Sequence, residues 1–112
     1  MKFAQMLLNN GNYKGKQLLG RKTIELMTAD RVGDKWSAPG FGFGLGFGIK
    51  TDVAASANLG SAGMYYWSGA FNTYFFIDPK EELIAFLMMQ MDPYTDFYNK
   101  KLRQLVYQAI VD

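Results

Sequence analysis

Apolar residues recur at helical spacing near the start of the chain. Phe3, Met6 and Leu7 follow the i, i+3, i+4 spacing of one helix face and lead into Asn9-Asn10-Gly11, residue types that end helices in left-handed backbone. A second short helix is predicted over residues 21–29, after the turn around Gly20. Its core-facing apolar residues are Ile24, Leu26 and Met27. The first half of the chain therefore begins with two short amphipathic helices.

The end of the chain has the same periodicity over a longer stretch. A helix is predicted from about Asp96, beyond Pro93. The residues predicted to share its apolar face are Tyr98, Leu102, Leu105, Val106 and Ala109. The basic residues predicted to lie away from that face are Lys100, Lys101 and Arg103. An apolar helix face of this length is expected to pack on a β-sheet.

Between the helices the pattern is typical of strands. Residues 40–48 place glycine at every second position with Phe or Leu between, and this period of two predicts one strand. Residues 51–63 are small and polar and predict a connection, whereas residues 64–67, 74–77 and 83–91 are aromatic or continuously apolar. The last of these is long enough for a strand buried on both faces. The prediction is one α+β unit over residues 1–112, with an antiparallel sheet flanked by helices.

Composition excludes several classes of function. With 49% apolar residues the chain can form a core, and a net charge of +2 with dispersed basic residues argues against a nucleic-acid partner. No segment has the roughly 18 to 20 apolar residues needed to span a membrane. The chain has neither Cys nor His, which excludes a Ser-His-Asp triad and an ordinary zinc centre, so hydrolytic chemistry would need a Lys or Tyr base.

Two patterns could suggest a cofactor, and each has a simpler explanation. Gly42, Gly44 and Gly46 fit part of a nucleotide fingerprint, but such a loop must open a helix, and here the alternation continues into Ile49. A strand whose glycines lie against another backbone explains them better. The methionines near the end of the apolar run at 83–91 lack any His or Cys companion, so core filling is preferred to a soft-metal site. We predict no cofactor and no metal.

Candidate chemistry lies at residues 65–74, where an aromatic strand runs into small residues. Backbone amides exposed at such a strand end can bind the oxyanion of an acyl-transfer intermediate. A strand end and hairpin with aromatic packing would give the same pattern, and these residues alone leave both interpretations open.

The chain resembles the C-terminal part of the serine β-lactamase-like family, which includes class C β-lactamases, DD-peptidases and related esterases. The resemblance runs in the family's order and spacing over residues 3–11, 15–19, 23–27, 42–48, 67–70 and 76–85. It implies the C-terminal portion of the β-lactamase/transpeptidase-like domain. It also implies hydrolysis of a small acyl substrate through an acyl-serine.

The family's third active-site motif is Lys-Thr-Gly or His-Thr-Gly, and often Trp-x-Gly in esterase-like members. Here the resemblance places Trp67 at the Lys/His position, Ser68 at the Thr position and Gly69 at the Gly, with Ala70 as the oxyanion-hole amide. These four residues are the candidate substrate wall and oxyanion hole. The Trp removes a cation that would engage a substrate carboxylate, which favours an esterase or peptidase-like parent over a β-lactamase.

The resemblance also implies a Ser-x-x-Lys nucleophile motif and a Tyr-x-Asn motif, and neither occurs in this chain. The serines are Ser37, Ser56, Ser61 and Ser68, and none has Lys three residues later. The first helix also starts at residue 1 without a capping residue before it. We therefore expect a C-terminal fragment that is inactive alone, with no nucleophile or base, whose partner is the missing N-terminal part of the parent enzyme.

Two other interpretations of the chain compete with the fragment interpretation. The chain could be a short non-catalytic binding or interaction module that uses the aromatic surface of Tyr65, Tyr66, Trp67 and Phe71. A self-contained enzyme of another type is disfavoured, since no nucleophile and base pair is visible.

Because the family's sheet takes further strands from the N-terminal part, an exposed sheet edge is expected to form a homo-oligomer, most simply a dimer.

Overall fold

The computed structural model describes residues 1–36 and 38–112, and Ser37, one of the four serines inspected above, lies outside the described residues. The helices are α1 (Lys2–Leu8), α2 (Arg21–Met27), α3 (Val53–Ser56) and α4 (Phe97–Gln108), with a 3₁₀ turn at Gly33–Lys35. The strands are β1 (Asn12–Tyr13), β2 (Lys16–Gln17), β3 (Phe41–Phe43), β4 (Gly48–Lys50), β5 (Tyr65–Ser68), β6 (Tyr74–Asp78) and β7 (Leu83–Leu87).

A five-stranded sheet in the order β3-β4-β5-β6-β7 forms the centre of the fold, and every neighbouring pair is antiparallel. This confirms the predicted α+β class with helices on an antiparallel sheet. Strand β5 pairs with β6 over all four of its residues but with β4 only through Tyr65 and Tyr66. The end of β5 therefore projects past β4.

Helices cover both faces of the sheet, and each face has its own core. On one face Ala4, Met6 and Leu7 of α1 pack with Tyr65 and Ile77. On the other face the buried residues Met64, Tyr74 and Phe76 pack beneath α4. Burial of a large apolar side chain contributes about 1.5–3 kcal/mol, so these two layers hold the strand ends in place.

The glycine-rich segment is a hairpin, so the prediction of one strand over residues 40–48 was wrong. Strands β3 and β4 pair with Phe43 opposite Gly48, and Gly46 lies in the turn at φ 92°, a backbone conformation that favours glycine. The expected close approach is confirmed, since a Cβ at Gly44 would collide with the carbonyl oxygen of Met27. Alternation alone could not reveal the turn, because glycine supplies both strand and turn positions.

Two apolar faces were assigned incorrectly. Phe3 is 54% exposed, while Ala4 takes the buried position on α1. On α4, Tyr98 and Leu105 are exposed and Arg103 is buried, the reverse of the prediction. Arg103 can be buried because the sheet beneath it offers a tyrosine hydroxyl and an aromatic ring, which the periodicity of α4 does not encode.

The last strand is shorter and less buried than expected. Strand β7 ends at Leu87, and its five side chains are all half-buried because β7 lies at the edge of the sheet. The connection at 51–63 contains the short helix α3, whose start is capped by Asp52 accepting from the N–H of Ala55 at 3.0 Å. The β1–β2 hairpin was not predicted either.

Candidate functional site

The residues of the predicted wall lie where β5 leaves the sheet and turns toward β6. Trp67 and Ser68 are the last pair of β5, and Gly69 N–H donates to the carbonyl of Thr73 at 2.9 Å to close the turn. Ala70 is exposed in that turn, and its N–H makes no hydrogen bond with any described residue. Because β5 extends beyond its pairing with β4, the end of β5 has an unpaired edge on that side.

The hydroxyl of Ser68 belongs to a small polar chain. Ser68 Oγ lies 3.2 Å from the hydroxyl of Tyr94, and the side-chain amide of Asn99 donates to the same Tyr94 hydroxyl at 3.3 Å. Asn99 is 5% exposed, and its Oδ1 has no hydrogen-bond partner among the described residues. A buried unpaired acceptor beside an open cleft is a group available to a ligand.

This polar chain lines a cleft of about 410 Å³ between the sheet and α4. Its floor comes from β3, β5 and β6, its roof from the loop before α4 and from α4, and its side from the α3 region. The lining residues are Ala38, Pro39, Phe41, Ala55, Ser56, Asn58, Tyr66, Ser68, Tyr74, Tyr94, Asp96, Asn99, Lys100 and Arg103.

The cleft is electropositive at its inner end. Arg103 is 7% exposed, donates through Nη1 to the hydroxyl of Tyr74 at 3.1 Å, and lies over the ring of Phe41 with its guanidinium carbon 5.8 Å from the ring centre. Burial raises the pKa of Tyr74 to about 12 although Arg103 opposes the shift, so the phenol is neutral near pH 7. Asp96, the one carboxylate in the lining, pairs with Lys100 at 2.7 Å. The guanidinium charge is thus not neutralised by the cleft wall.

Asn72 holds the loop that carries Tyr94 against the β5–β6 turn. It is fully buried at φ 68°, and its Nδ2 donates to the carbonyls of Met91 and Pro93 at 2.7 and 3.2 Å. Its Oδ1 accepts from the N–H of Thr95 at 2.8 Å. One side chain therefore sets the position of Tyr94 relative to Ser68.

Trp67 projects toward the opposite face from the cleft, as alternation along a strand requires. It is 42% exposed and packs edge-to-face on Phe43, with ring centres 5.2 Å apart. It borders an open apolar groove of about 380 Å³. The groove is lined by Trp67, Ser68, Gly69, Thr73, Tyr74, Phe75, Phe86 and Met88. The four wall residues are contiguous, but only Ser68 lines both the cleft and the groove.

Sequence reasoning did not identify Tyr94, Asn99 or Arg103 as part of this region, and it gave no role to Asn72, which lies within the candidate segment 65–74. Asn72 had a visible signal, since an Asn at the end of an aromatic strand favours a left-handed turn position. The aromatic surface proposed around Trp67 was also too broad. Tyr65 is 1% exposed with its hydroxyl unpaired among the described residues, and it belongs to the core.

Within residues 1–36 and 38–112, no group of three His, Cys, Asp or Glu residues could hold a metal ion. Over the same residues, no helix has the length and apolar character to cross a membrane.

Comparison with known proteins identifies one family. The family described as "Beta-lactamase" matches residues 2–109. A curated relative, "Protein Rv1367c" of Mycobacterium tuberculosis, is 32% identical in an alignment of 105 residues, and the match covers 83% of this chain and 26% of the relative. The chain thus spans about a quarter of the length of the curated relatives it matches.

Two solved structures share the fold. "EstCE1, a hydrolase with promiscuous acyltransferase activity" superposes with a TM-score of 0.75 at 23% identity, covering 93% of this chain and 27% of that one. A "Novel Penicillin-Binding Protein (PBP) Homolog" from Caulobacter crescentus gives a TM-score of 0.73 at 18% identity, covering 96% of this chain and 30% of that one. At these identities the superpositions establish the fold alone.

Proposed function

Because the chain belongs to the Beta-lactamase family, we propose that it is the C-terminal part of a serine hydrolase that acts through an acyl-serine. The chain contributes one wall of the active site and is inactive alone. The observation that carries the proposal is the open end of β5. There the Ser68 hydroxyl lines a cleft of about 410 Å³, and the unpaired amide of Ala70 follows two positions along the chain.

The proposed chemistry assigns the chain a supporting role. A serine of the parent attacks the substrate carbonyl, and the carbonyl oxygen gains negative charge as the tetrahedral intermediate forms. A free backbone N–H stabilises that charge when it lies within hydrogen-bond distance, which is the role of Ala70. Ser68, aligned by Tyr94 and Asn99, binds a polar group of the substrate.

The substrate class that fits best is an ester with an apolar group. Trp67 brings no positive charge to the third-motif position, and the groove beside it is lined mainly by the aromatic and aliphatic groups of Trp67, Phe75, Phe86 and Met88. An apolar acyl or alcohol portion would be desolvated there. The likeness to EstCE1 is consistent with this class.

The partner is the remaining part of the parent enzyme. The chain corresponds to 26% of its curated relatives and to 27–30% of the two solved structures named above. The nucleophile and base of the proposed reaction therefore belong to the other part. Edge strand β7 and the groove at Trp67 are surfaces that this part would cover.

One observation favours the alternative, a non-catalytic binding module. Trp67, Phe71 and Met88 are 42%, 57% and 78% exposed, and large apolar side chains exposed near a groove can hold a ligand or partner. Under this alternative, a longer protein that contains this chain would not hydrolyse an ester.

The test is the activity of the complete reading frame that contains this sequence. We expect that product to hydrolyse p-nitrophenyl esters, and Ser68→Ala to lower kcat/KM by about tenfold to a hundredfold, since one hydrogen bond made in the transition state is lost. Ser61→Ala, which lies outside the cleft lining, is the matched control and should retain activity. Absence of esterase, peptidase and β-lactamase turnover in the folded product would favour the binding module.

A further inference from the structure

A second groove lies beside α4 and shares Asn58, Lys100 and Arg103 with the cleft. Its volume is about 420 Å³, and it is bounded by the loop at 57–59 and by four polar side chains of the helix. These side chains are Lys100, Arg103, Gln104 and Gln108. We call it the α4 groove. No carboxylate is among the residues that line it.

Arg103 is the reason to expect a ligand there. Arg103 is 7% exposed, yet within residues 1–36 and 38–112 no carboxylate oxygen lies within 4.0 Å of its side-chain nitrogens, and its Nη1 donates to the hydroxyl of Tyr74. A guanidinium has five N–H donors in a planar fork. A buried charge left without a counter-ion is unfavourable, so this arrangement favours binding of an anion.

A second cation strengthens the positive potential. Lys50 is fully buried and donates from Nζ to the carbonyls of Asn58 and Leu59, both at 2.8 Å. These bonds occupy the carbonyl oxygens that would otherwise repel an anion at this side of the groove. Burial lowers the pKa of Lys50 to about 8, and the charge of Arg103 acts in the same direction. Asp78, whose charge opposes the shift at Lys50, accepts a hydrogen bond from the hydroxyl of Tyr107 at 2.6 Å.

We propose that the α4 groove is an oxyanion-binding site for a phosphate or sulfate group, in which Arg103 supplies charge and Gln104 and Gln108 supply amide N–H donors. Guanidinium and carboxamide donors suit a tetrahedral oxyanion with several acceptor oxygens. Ser68 is not among the residues that line this groove, and the proposal does not depend on acyl transfer.

The test uses the 112-residue chain and amide NMR titrations with inorganic phosphate and with glycerol 3-phosphate at constant ionic strength. The expected result is saturable shifts centred on residues 57–59 and 103–108. Gln104→Glu, an exposed substitution that lines only this groove, should weaken binding by about tenfold or more, because a carboxylate then competes for the guanidinium. Binding of glycerol 3-phosphate but not of inorganic phosphate would identify an organic phosphate as the ligand.

Two controls separate this site from general charge effects. Lys101→Gln changes the net charge by the same amount on the same helix, outside both cavities, and should leave the affinity unchanged. Ala55→Asp places a carboxylate in the cleft and should also leave it unchanged. The proposal is overturned if no saturable shift appears, if Lys101→Gln weakens binding as much as Gln104→Glu, or if Ala55→Asp abolishes binding.

Discussion

Lys50 is the residue whose environment is least expected from the sequence. It ends β4 with no exposed surface, donates to two backbone carbonyls and lies with Nζ 5.7 Å from the centre of the Phe41 ring. Burial lowers the pKa of its ammonium from 10.5 to about 8, Arg103 acts in the same direction, and Asp78 opposes the shift. The folded state therefore holds this proton less tightly than the unfolded chain does.

The stability of the protein should increase with pH between about 8 and 10.5 because of Lys50. In this window the unfolded state binds more protons at Lys50 than the folded state, so the free energy of unfolding rises with pH, by up to about 3 kcal/mol in total. Urea unfolding at pH 7.5, 8.5 and 9.5 measures the rise before tyrosines titrate. Burial raises the pKa of Tyr65 and Tyr74 to about 12, which opposes the trend only above about pH 10.

Lys50→Met should abolish most of this pH dependence, whereas Lys101→Met, at an exposed position of α4, should retain it. An unchanged slope in Lys50→Met would mean that the ammonium of Lys50 titrates normally in the folded state.

At the scale of elements, the turn between β5 and β6 positions the candidate site. Asn72 connects this turn to the loop before α4 through three hydrogen bonds made by one buried side chain. That loop carries Tyr94, which contacts both Ser68 and Asn99. Two elements distant in sequence are thus fixed to each other at the mouth of the cleft.

Asn72→Ala should lower the free energy of unfolding by about 2–4 kcal/mol, because it leaves buried backbone groups unpaired and places Ala at a positive φ. Asn72→Gly tolerates the backbone conformation but also loses the three bonds, so it should remain at least about 1 kcal/mol less stable than the wild type. Urea unfolding compares the two. A glycine variant as stable as the wild type would show that the bonds to residues 91–95 contribute nothing.

Helices and strands whose sequence has one dominant apolar periodicity could be predicted from the sequence. The aromatic strands β5 and β6 and the helices α1, α2 and α4 were placed within a few residues, because apolar periodicity reflects burial against a sheet. The β3–β4 hairpin was missed, since Gly46 disrupts no local pattern while it reverses the chain. Likewise, Arg103 joins the cleft through Tyr74, which is 29 residues away in sequence, so no local window contains this contact.

At the scale of the whole molecule, β7 leaves one side of the sheet open. It is an uncharged edge strand, Leu-Ile-Ala-Phe-Leu, with every side chain half-buried, and Met88 just beyond it is 78% exposed. Charged residues usually protect such edges from pairing with another chain. The 112-residue chain should therefore self-associate, most simply as a dimer paired through β7.

Light scattering of the chain over a range of concentrations tests this association. We expect a dimer at high micromolar concentration, and Ala85→Lys on β7 should shift the population to monomer, since a charge on the edge strand disfavours pairing. Glu81→Lys in the preceding turn is a control for added charge and should remain dimeric. A monodisperse monomer at high concentration would count against the inference that β7 is a surface normally covered by a partner.

The central claim is that this chain carries the third-motif wall of a serine hydrolase without its nucleophile. Intact-mass spectrometry after exposure to a fluorophosphonate and, separately, to a reactive penicillin tests it on both the 112-residue chain and the product of the complete reading frame. The account predicts no adduct on the short chain and one fluorophosphonate adduct on a Ser-x-x-Lys serine of the longer product. A stoichiometric adduct on the 112-residue chain, or none on the folded longer product, would contradict it.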